Sequence, residues 1–298
     1  MFTNGLKLDK EYTHKLKKAG IKYVVLQFDG FSDDVYRKLR GKKLLRKKLE
    51  AISNLRKEHI ITDLFSVIIK NINEDEIKKI IKYASENSET IKNVYLSTIT
   101  YEGRYDLKLE RVTNIERLNL VEKQIGISQK DFLICTEFDY YLANFIKKLT
   151  GTESKHLSAC DIMCYVYANS GKIIPLNKIV NLECFIDFLK KSIKILNQNS
   201  KFKYVELIHN FLNFLFSKKI LIDKSYAYNI FKFAIFSFAP LAYRKPAGNK
   251  FKNIFRVIIT QFQDKYNVDF ATFKNCNLLA DIDDGIVEPF CKKLLFNY

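Results

Sequence analysis

Apolar runs and helical periodicities alternate over the first hundred residues. Lys22 to Gly30 (KYVVLQFDG) is a β-branched apolar run closing on polar residues and a glycine, the pattern of a buried parallel strand. Tyr36 to Lys57 carries Leu39, Leu45, Leu49, Ile52 and Leu55 at turn-like spacing, which predicts one helix. Ile60 to Lys70 (IITDLFSVIIK) predicts a second strand. Asn73 to Asn87 predicts a second helix, with Asn-Glu-Asp-Glu as cap and first-turn acids, and Val94 to Thr100 predicts a third strand. At the front, Met1 to Gly5 has the pattern of a strand exit, and a helix is predicted near Leu8 to Ala19. Such alternation means right-handed parallel crossover units.

From about Thr113 longer helical patterns take over: Asn114 to Ile125, Asp139 to Leu149, Asn181 to Gln198, Tyr204 to Phe216, Tyr226 to Ala239 and Phe251 to Tyr266. A short β element is expected at Cys164 to Pro175 around Asn169-Ser170-Gly171, and another near Ile286 to Phe290. There is no internal repeat. The change of pattern divides the chain into residues 1–106, α/β, and residues 107–298, mainly helical.

Composition narrows the classes. In 298 residues, 47% hydrophobic and 28% charged, there is ample material for a core, and 10 Gly with 4 Pro disfavour a chain of tight hairpins. The net charge of +17 could suit phosphate or an anionic membrane surface, yet it is spread along the chain and carried by Lys far more than Arg. No apolar signal region opens the sequence. The longest apolar stretch, Ile230 to Tyr243, is too short and too interrupted by Lys232 to span a bilayer. The expected setting is cytoplasmic, soluble or peripheral to a membrane, with the six cysteines as thiols or metal ligands.

Ligands of parallel α/β proteins collect at the carboxyl ends of the strands. Those ends offer Thr3-Asn4-Gly5, Gln27 with Asp29, Ser66, and Ser97 with Thr98 and Thr100. Alternation puts Gln27 and Asp29 on one strand face, where polar groups cost a few kcal/mol each unless paired; ligand contact or turn capping by Asp29 would account for them. The segment Arg37 to Lys48 has eight basic residues in twelve and reads either as a solvated face or as a phosphate or headgroup contact. Cysteines at 135, 160, 164, 184, 276 and 291 form no CxxC pair, and the four histidines form no HxH or HExxH.

Several blocks together resemble one family. Thr3-Asn4-Gly5, Tyr23 to Lys48 (YVVLQFDGFSDDVYRKLRGKKLLRKK), Ala51-Ile52, Arg56-Lys57, Ile68 to Ile77 (IIKNINEDEI), Gly103-Arg104-Tyr105-Asp106, Phe262 to Asp269 (FQDKYNVD), Cys276 and Asp284-Gly285…Pro289-Phe290-Cys291 are similar to the archaeal tetraether lipid synthase-like branch of the radical S-adenosylmethionine (radical SAM) proteins. The resemblance implies the later strands of a partial (βα)6 barrel in residues 1–106, followed by a mainly helical α+β auxiliary domain in 107–298. It implies S-adenosylmethionine and a [4Fe–4S] cluster as cofactors, with radical C–H activation and C–C coupling on lipid chains. By position it places Gln27 and Asp29 toward S-adenosylmethionine, and Asn4, Ser66 and Ser97 at the other strand exits are taken as cofactor-binding candidates with them. It makes Cys135, Cys160, Cys276 and Cys291 candidates for an auxiliary iron site.

The departures shape the expectation as much. No CxxxCxxC occurs: Cys160 and Cys164 supply CxxxC, then Tyr165-Val166-Tyr167. The family's His-Pro-His-Cys-Gly is replaced by Leu157-Ser158-Ala159-Cys160-Asp161, its Pro-Thr by Ser66-Val67, and one of its glycines by Asn71. The chain is therefore expected to be inactive alone, as a split or truncated C-terminal portion needing a separately encoded N-terminal half. A lipid substrate and peripheral membrane contact are compatible partners. The alternative is a basic helical protein binding nucleic acid or a membrane surface without catalysis, although the even spread of charge argues against nucleic acid.

Overall fold

In the computed structural model, the residues described are 1–101, 109–151, 160–169, 171–217, 253–270, 279–283 and 286–289, with 220, 222, 272, 276, 291 and 292. The first element is the short strand β1 (Phe2–Thr3), followed by α1 (Lys10–Lys18), which Asp9 caps by accepting from the Tyr12 amide. Next come β2 (Tyr23–Gln27), α2 (Asp33–Arg40), α3 (Leu45–Lys57), β3 (Ile61–Ile68), α4 (Ile77–Glu86) and β4 (Ile91–Thr98). The single helix expected over Tyr36–Lys57 is two. Gly41, at φ 70°, ends α2 in the left-handed region that glycine tolerates, so the chain turns before α3 begins. Asn73 does not cap a helix side-chain to amide. A 3-10 turn at Glu74–Glu76 precedes α4, and the Asn73 carboxamide instead donates to the Asp29 and Val67 carbonyls.

The second segment continues with α5 (Asn114–Ile125), α6 (Gln129–Thr150), β5 (Ile162–Asn169), β6 (Lys172–Pro175), α7 (Leu182–Leu196), α8 (Lys203–Leu215), β7 (Ile254–Ile259), β8 (Leu279–Asp283) and β9 (Ile286–Pro289). The β5–β6 hairpin and β9 lie where the pattern put them, and α5 matches its expected bounds. The helix expected from Asp139 is longer, because Ser128 and Asp131 form a capping box well upstream of it. Phe251–Tyr266 is not a helix. Its Ile254-Phe255-Arg256-Val257-Ile258-Ile259 run is a strand with Val257, Ile258 and Ile259 fully buried, and a short apolar run buried on both faces has no periodicity to separate strand from helix. The helix expected at Tyr226–Ala239 falls outside the described residues, as does Gly103–Asp106.

Among the described residues, seven strands form one sheet in the order β1-β2-β3-β4-β7-β5-β6, while β8 and β9 form a separate antiparallel pair. Strands β1 to β4 and β7 are parallel; β5 runs antiparallel to β7, and β6 antiparallel to β5. This is a mixed α/β fold with a predominantly parallel sheet. The two segments set apart by sequence pattern share that sheet, since β7, β5 and β6 extend the edge at β4. Arg117 of α5 fastens the join. It is fully buried and its Nη1 donates to the Leu96 carbonyl at 2.5 Å and the Thr260 carbonyl at 2.6 Å, at the exits of β4 and β7. Val24, Leu26, Phe28, Leu64, Ile68, Val94 and Leu96 pack with Ala51, Ile52 and Leu55 of α3 and Ile77, Ile80, Ile81 and Ala84 of α4. Gln27, Phe65, Val67 and Tyr95, on the alternate positions, stay half-buried.

Candidate functional site

The carboxyl ends of β1 and β2 and the start of α3 converge on one buried cation. Lys48 has no solvent exposure, and its Nζ donates to the Asn4 carbonyl at 2.6 Å, the Gln27 carbonyl at 2.9 Å and the Gln27 side-chain oxygen. Gln27 in turn donates to Asp29 from its amide nitrogen. Asp29, also fully buried, accepts from Arg40 Nε at 2.8 Å and from the Val67 amide at 3.2 Å. Burial pushes the Lys48 ammonium down to about 8, with Asp29 opposing and Arg40 adding to the shift. The charge is tolerable there because three oxygens replace its water.

The sequence-derived residues can now be placed. Gln27 and Asp29 do share a face and touch. The Asn4 backbone joins the same network, while its exposed carboxamide accepts only from the Leu6 amide through Oδ1. Ser66 lies on the opposite face, buried, its hydroxyl given to the Phe28 carbonyl at 2.6 Å. Ser97 is buried at the end of β4 opposite Val67. The segment Arg37–Lys48 is neither uniformly solvated nor uniformly available to phosphate, because Lys48 is enclosed and Arg40 is held by Asp29. Beside these groups lies an aromatic surface: Phe65 stacks with Tyr95 and with Phe262, each at a 5.8 Å centroid separation.

A second polar row was not anticipated. Asp63, Asn93, Arg256 and Tyr165 occupy directly opposed positions on β3, β4, β7 and β5. Asn93 Nδ2 donates to Asp63 at 2.6 Å, Tyr23 donates its phenol to the same oxygen, Arg256 Nε donates to Asn93 Oδ1 at 2.6 Å, and Tyr165 donates to Asp139 at 2.5 Å. Among the described residues Asp63 Oδ1 is buried with no partner, and burial raises the carboxyl to about 7 against the pull of Asn93 and Arg256. A carboxylate in the apolar run IITDLFSVIIK was a legible signal; Arg256 was hidden in a run that read as helix. At the exit of β7, Asp264 is another buried carboxylate, held by Arg111 and accepting from the Tyr101 amide at 2.7 Å.

The candidate cysteines can be placed in the same way. Cys135 Sγ lies 3.9 Å from Cys164 Sγ, and Cys164 is raised by burial and by Cys135. Cys291 accepts from the Gln263 amide at 3.3 Å and is raised chiefly by burial, with Cys276 and Asp264 adding to it. Cys160 reaches Asp161 at 4.0 Å. Among the described residues no three His, Cys, Asp or Glu side chains are grouped to hold a metal.

Residues 1–84 match the Radical SAM superfamily. This segment carries a radical SAM superfamily domain, and the chain is homologous to radical SAM enzymes. It is 30% identical over 304 residues to the 7,8-dihydro-6-hydroxymethylpterin dimethyltransferase of Methanocaldococcus jannaschii, an alignment covering 97% of this chain and 59% of that protein. It is 32% identical over 90 residues to the GTP 3',8-cyclase of Nautilia profundicola, covering 30% of this chain and 28% of the cyclase. Among solved structures it is similar to anSMEcpe with bound AdoMet, at 14% identity and a TM-score of 0.36, covering 72% of each chain. The chain thus spans less than two thirds of the curated relatives it matches.

Proposed function

We propose that this chain forms the S-adenosylmethionine-binding and substrate-facing part of a radical SAM enzyme, with the cluster-binding thiolates provided by polypeptide outside these residues. The observation that carries the reading is the coincidence of the family match over residues 1–84 with the Lys48–Gln27–Asp29–Arg40 network at the strand exits. Lys48 and Asp29 fix the Gln27 carboxamide, which with the exposed carboxamide of Asn4 offers neutral donors and acceptors for ribose and methionyl groups. No cleavage chemistry is assigned to these residues. Their part is to bind and orient.

For the substrate, the proposal is a planar heteroaromatic ring of the pterin class, functionalised at an unactivated carbon. The Phe65–Tyr95–Phe262 surface suits such a ring, and the relative aligned over 97% of the chain is named for a pterin. Coupling of isoprenoid lipid chains, which the sequence resemblance implies, is the second reading, favoured by the apolar side chains that α8 turns outward.

The test is equilibrium dialysis with labelled S-adenosylmethionine, on the chain alone and with a polypeptide bearing CxxxCxxC, alongside iron and sulfide quantification. Binding should be strongest in the mixture and fall about tenfold in Gln27→Ala. The mixture, not the chain alone, should release 5′-deoxyadenosine, with pterin and isoprenoid substrates tried in parallel. Failure of the mixture to bind S-adenosylmethionine overturns the enzyme reading.

A further inference from the structure

Helix α8 is apolar on both sides, and among the described residues only one side is packed. Its inner side is fixed: Phe214 packs on Phe185 at 4.4 Å and stacks with Phe188 at 4.5 Å between ring centroids, and Asn210 Nδ2 donates to Ser192 at 2.9 Å on α7. The helix therefore cannot roll to hide its other side. On that other side Phe202, Tyr204, Val205, Ile208, Leu212 and Phe216 are exposed, Val205 at 65%, Ile208 at 60% and Phe216 at 82%. At 100° per residue Ile208, Leu212, Val205 and Phe216 form one stripe down the middle of the exposed face, with Phe202 and Tyr204 at its margins. Scattered exposed apolar residues are ordinary; a continuous stripe on an anchored helix marks an interaction surface.

Charge selects the occupant. Between Lys190 and Lys219 the sequence holds seven lysines and a single acidic residue, Glu206. Lys191, Lys194 and Lys201 are exposed on α7 and at the entry to α8, as is Lys190, which pairs with Glu137 at 2.9 Å. Apolar residues facing out from a 13-residue helix, with lysines close to them in sequence, are the composition of a helix lying in the headgroup layer of an anionic bilayer. Among the described residues no helix is long and apolar enough to cross a membrane. We propose that the outward face of α8 is a membrane-contact surface, seating the protein on anionic lipid through Phe202, Val205, Ile208, Leu212 and Phe216.

The test uses the full chain with vesicles of phosphatidylcholine, with or without about one-third phosphatidylglycerol. The wild type should pellet with the anionic vesicles at low salt, less so at high salt, and little with the neutral ones. Val205→Glu/Leu212→Glu should lower partitioning at least about tenfold, with the thermal transition unchanged because both positions are exposed. The chain has no tryptophan, so Leu212→Trp supplies a single indole whose emission should shift to the blue on anionic vesicles. That arm decides the matter even if the double variant folds poorly. Absence of low-salt binding, equal binding by a folded double variant, or unshifted indole emission from the pelleted Leu212→Trp protein would each overturn the proposal. So would a concentration-dependent dimer abolished by the double variant without any vesicle binding, since a second copy would then cover the stripe.

Discussion

Replacing Asp63 by Asn tests the cross-sheet polar row most directly. Its carboxyl sits between Tyr23 and Asn93, both donating to one oxygen, while the other oxygen is buried without a partner. Burial raises the folded-state value to about 7, whereas the unfolded carboxyl titrates near 3.8. Between those two values the folded protein holds a proton that the unfolded chain has released. Stability therefore falls as pH rises from about 4 to about 7, then levels off. Three pH units at ~1.4 kcal/mol each set a ceiling of about 4 kcal/mol for that loss. Asn is the neutral mimic of the protonated acid and keeps an acceptor for Tyr23 and Asn93. Urea unfolding across pH 4.5 to 8 should show a declining wild-type curve and a flatter one for Asp63→Asn, with the variant more stable at pH 8 by roughly 1–3 kcal/mol. Parallel curves for the two proteins would refute the reasoning, because they would mean that Asp63 is already ionised, or already solvated, in the folded state.

Lys48→Met should destabilise the protein by about 2–3 kcal/mol at pH 7 in urea unfolding, since three oxygens at the strand exits lose their donor. The folded-state value near 8 against an unfolded 10.5 also means that wild-type stability gains a rising contribution as pH passes from 8 to 10.5, which the variant should lack. Gly30→Ala should cost about 2 kcal/mol or more in thermal or chemical unfolding. Gly30 sits at φ 151°, and an added Cβ would come within 2.7 Å of Glu76 Cγ and 2.9 Å of Glu76 Oε2, displacing the carboxylate that accepts from the Phe31 amide at 2.5 Å.

Local pattern carried the first hundred residues because parallel strands and their crossover helices are built from contacts near in sequence. β2, β3, β4 and the helices between them follow the predicted alternation, and the pairing of Gln27 with Asp29 followed from their shared strand face. Long-range placement defeated the same method. β7 reaches the sheet from residues 254–259 and lies beside β4, and nothing in Ile254–Ile259 itself reports that neighbour. Arg256 accordingly fell inside a predicted helix, although its Nε donates to Asn93 in the polar row. Lys48 failed for a different reason. In a segment with eight basic residues of twelve, composition averages over side chains that the fold treats in opposite ways, and only the turn at Gly41 starts α3 where it points Lys48 inward. A polar residue in an apolar strand is thus an informative signal, as Gln27, Asp29 and the overlooked Asp63 all demonstrate, because its burial cost demands a partner. A cation in a basic run carries no comparable signal. Its neighbours supply a bland explanation, and the oxygens that enclose it come from residues more than twenty positions away.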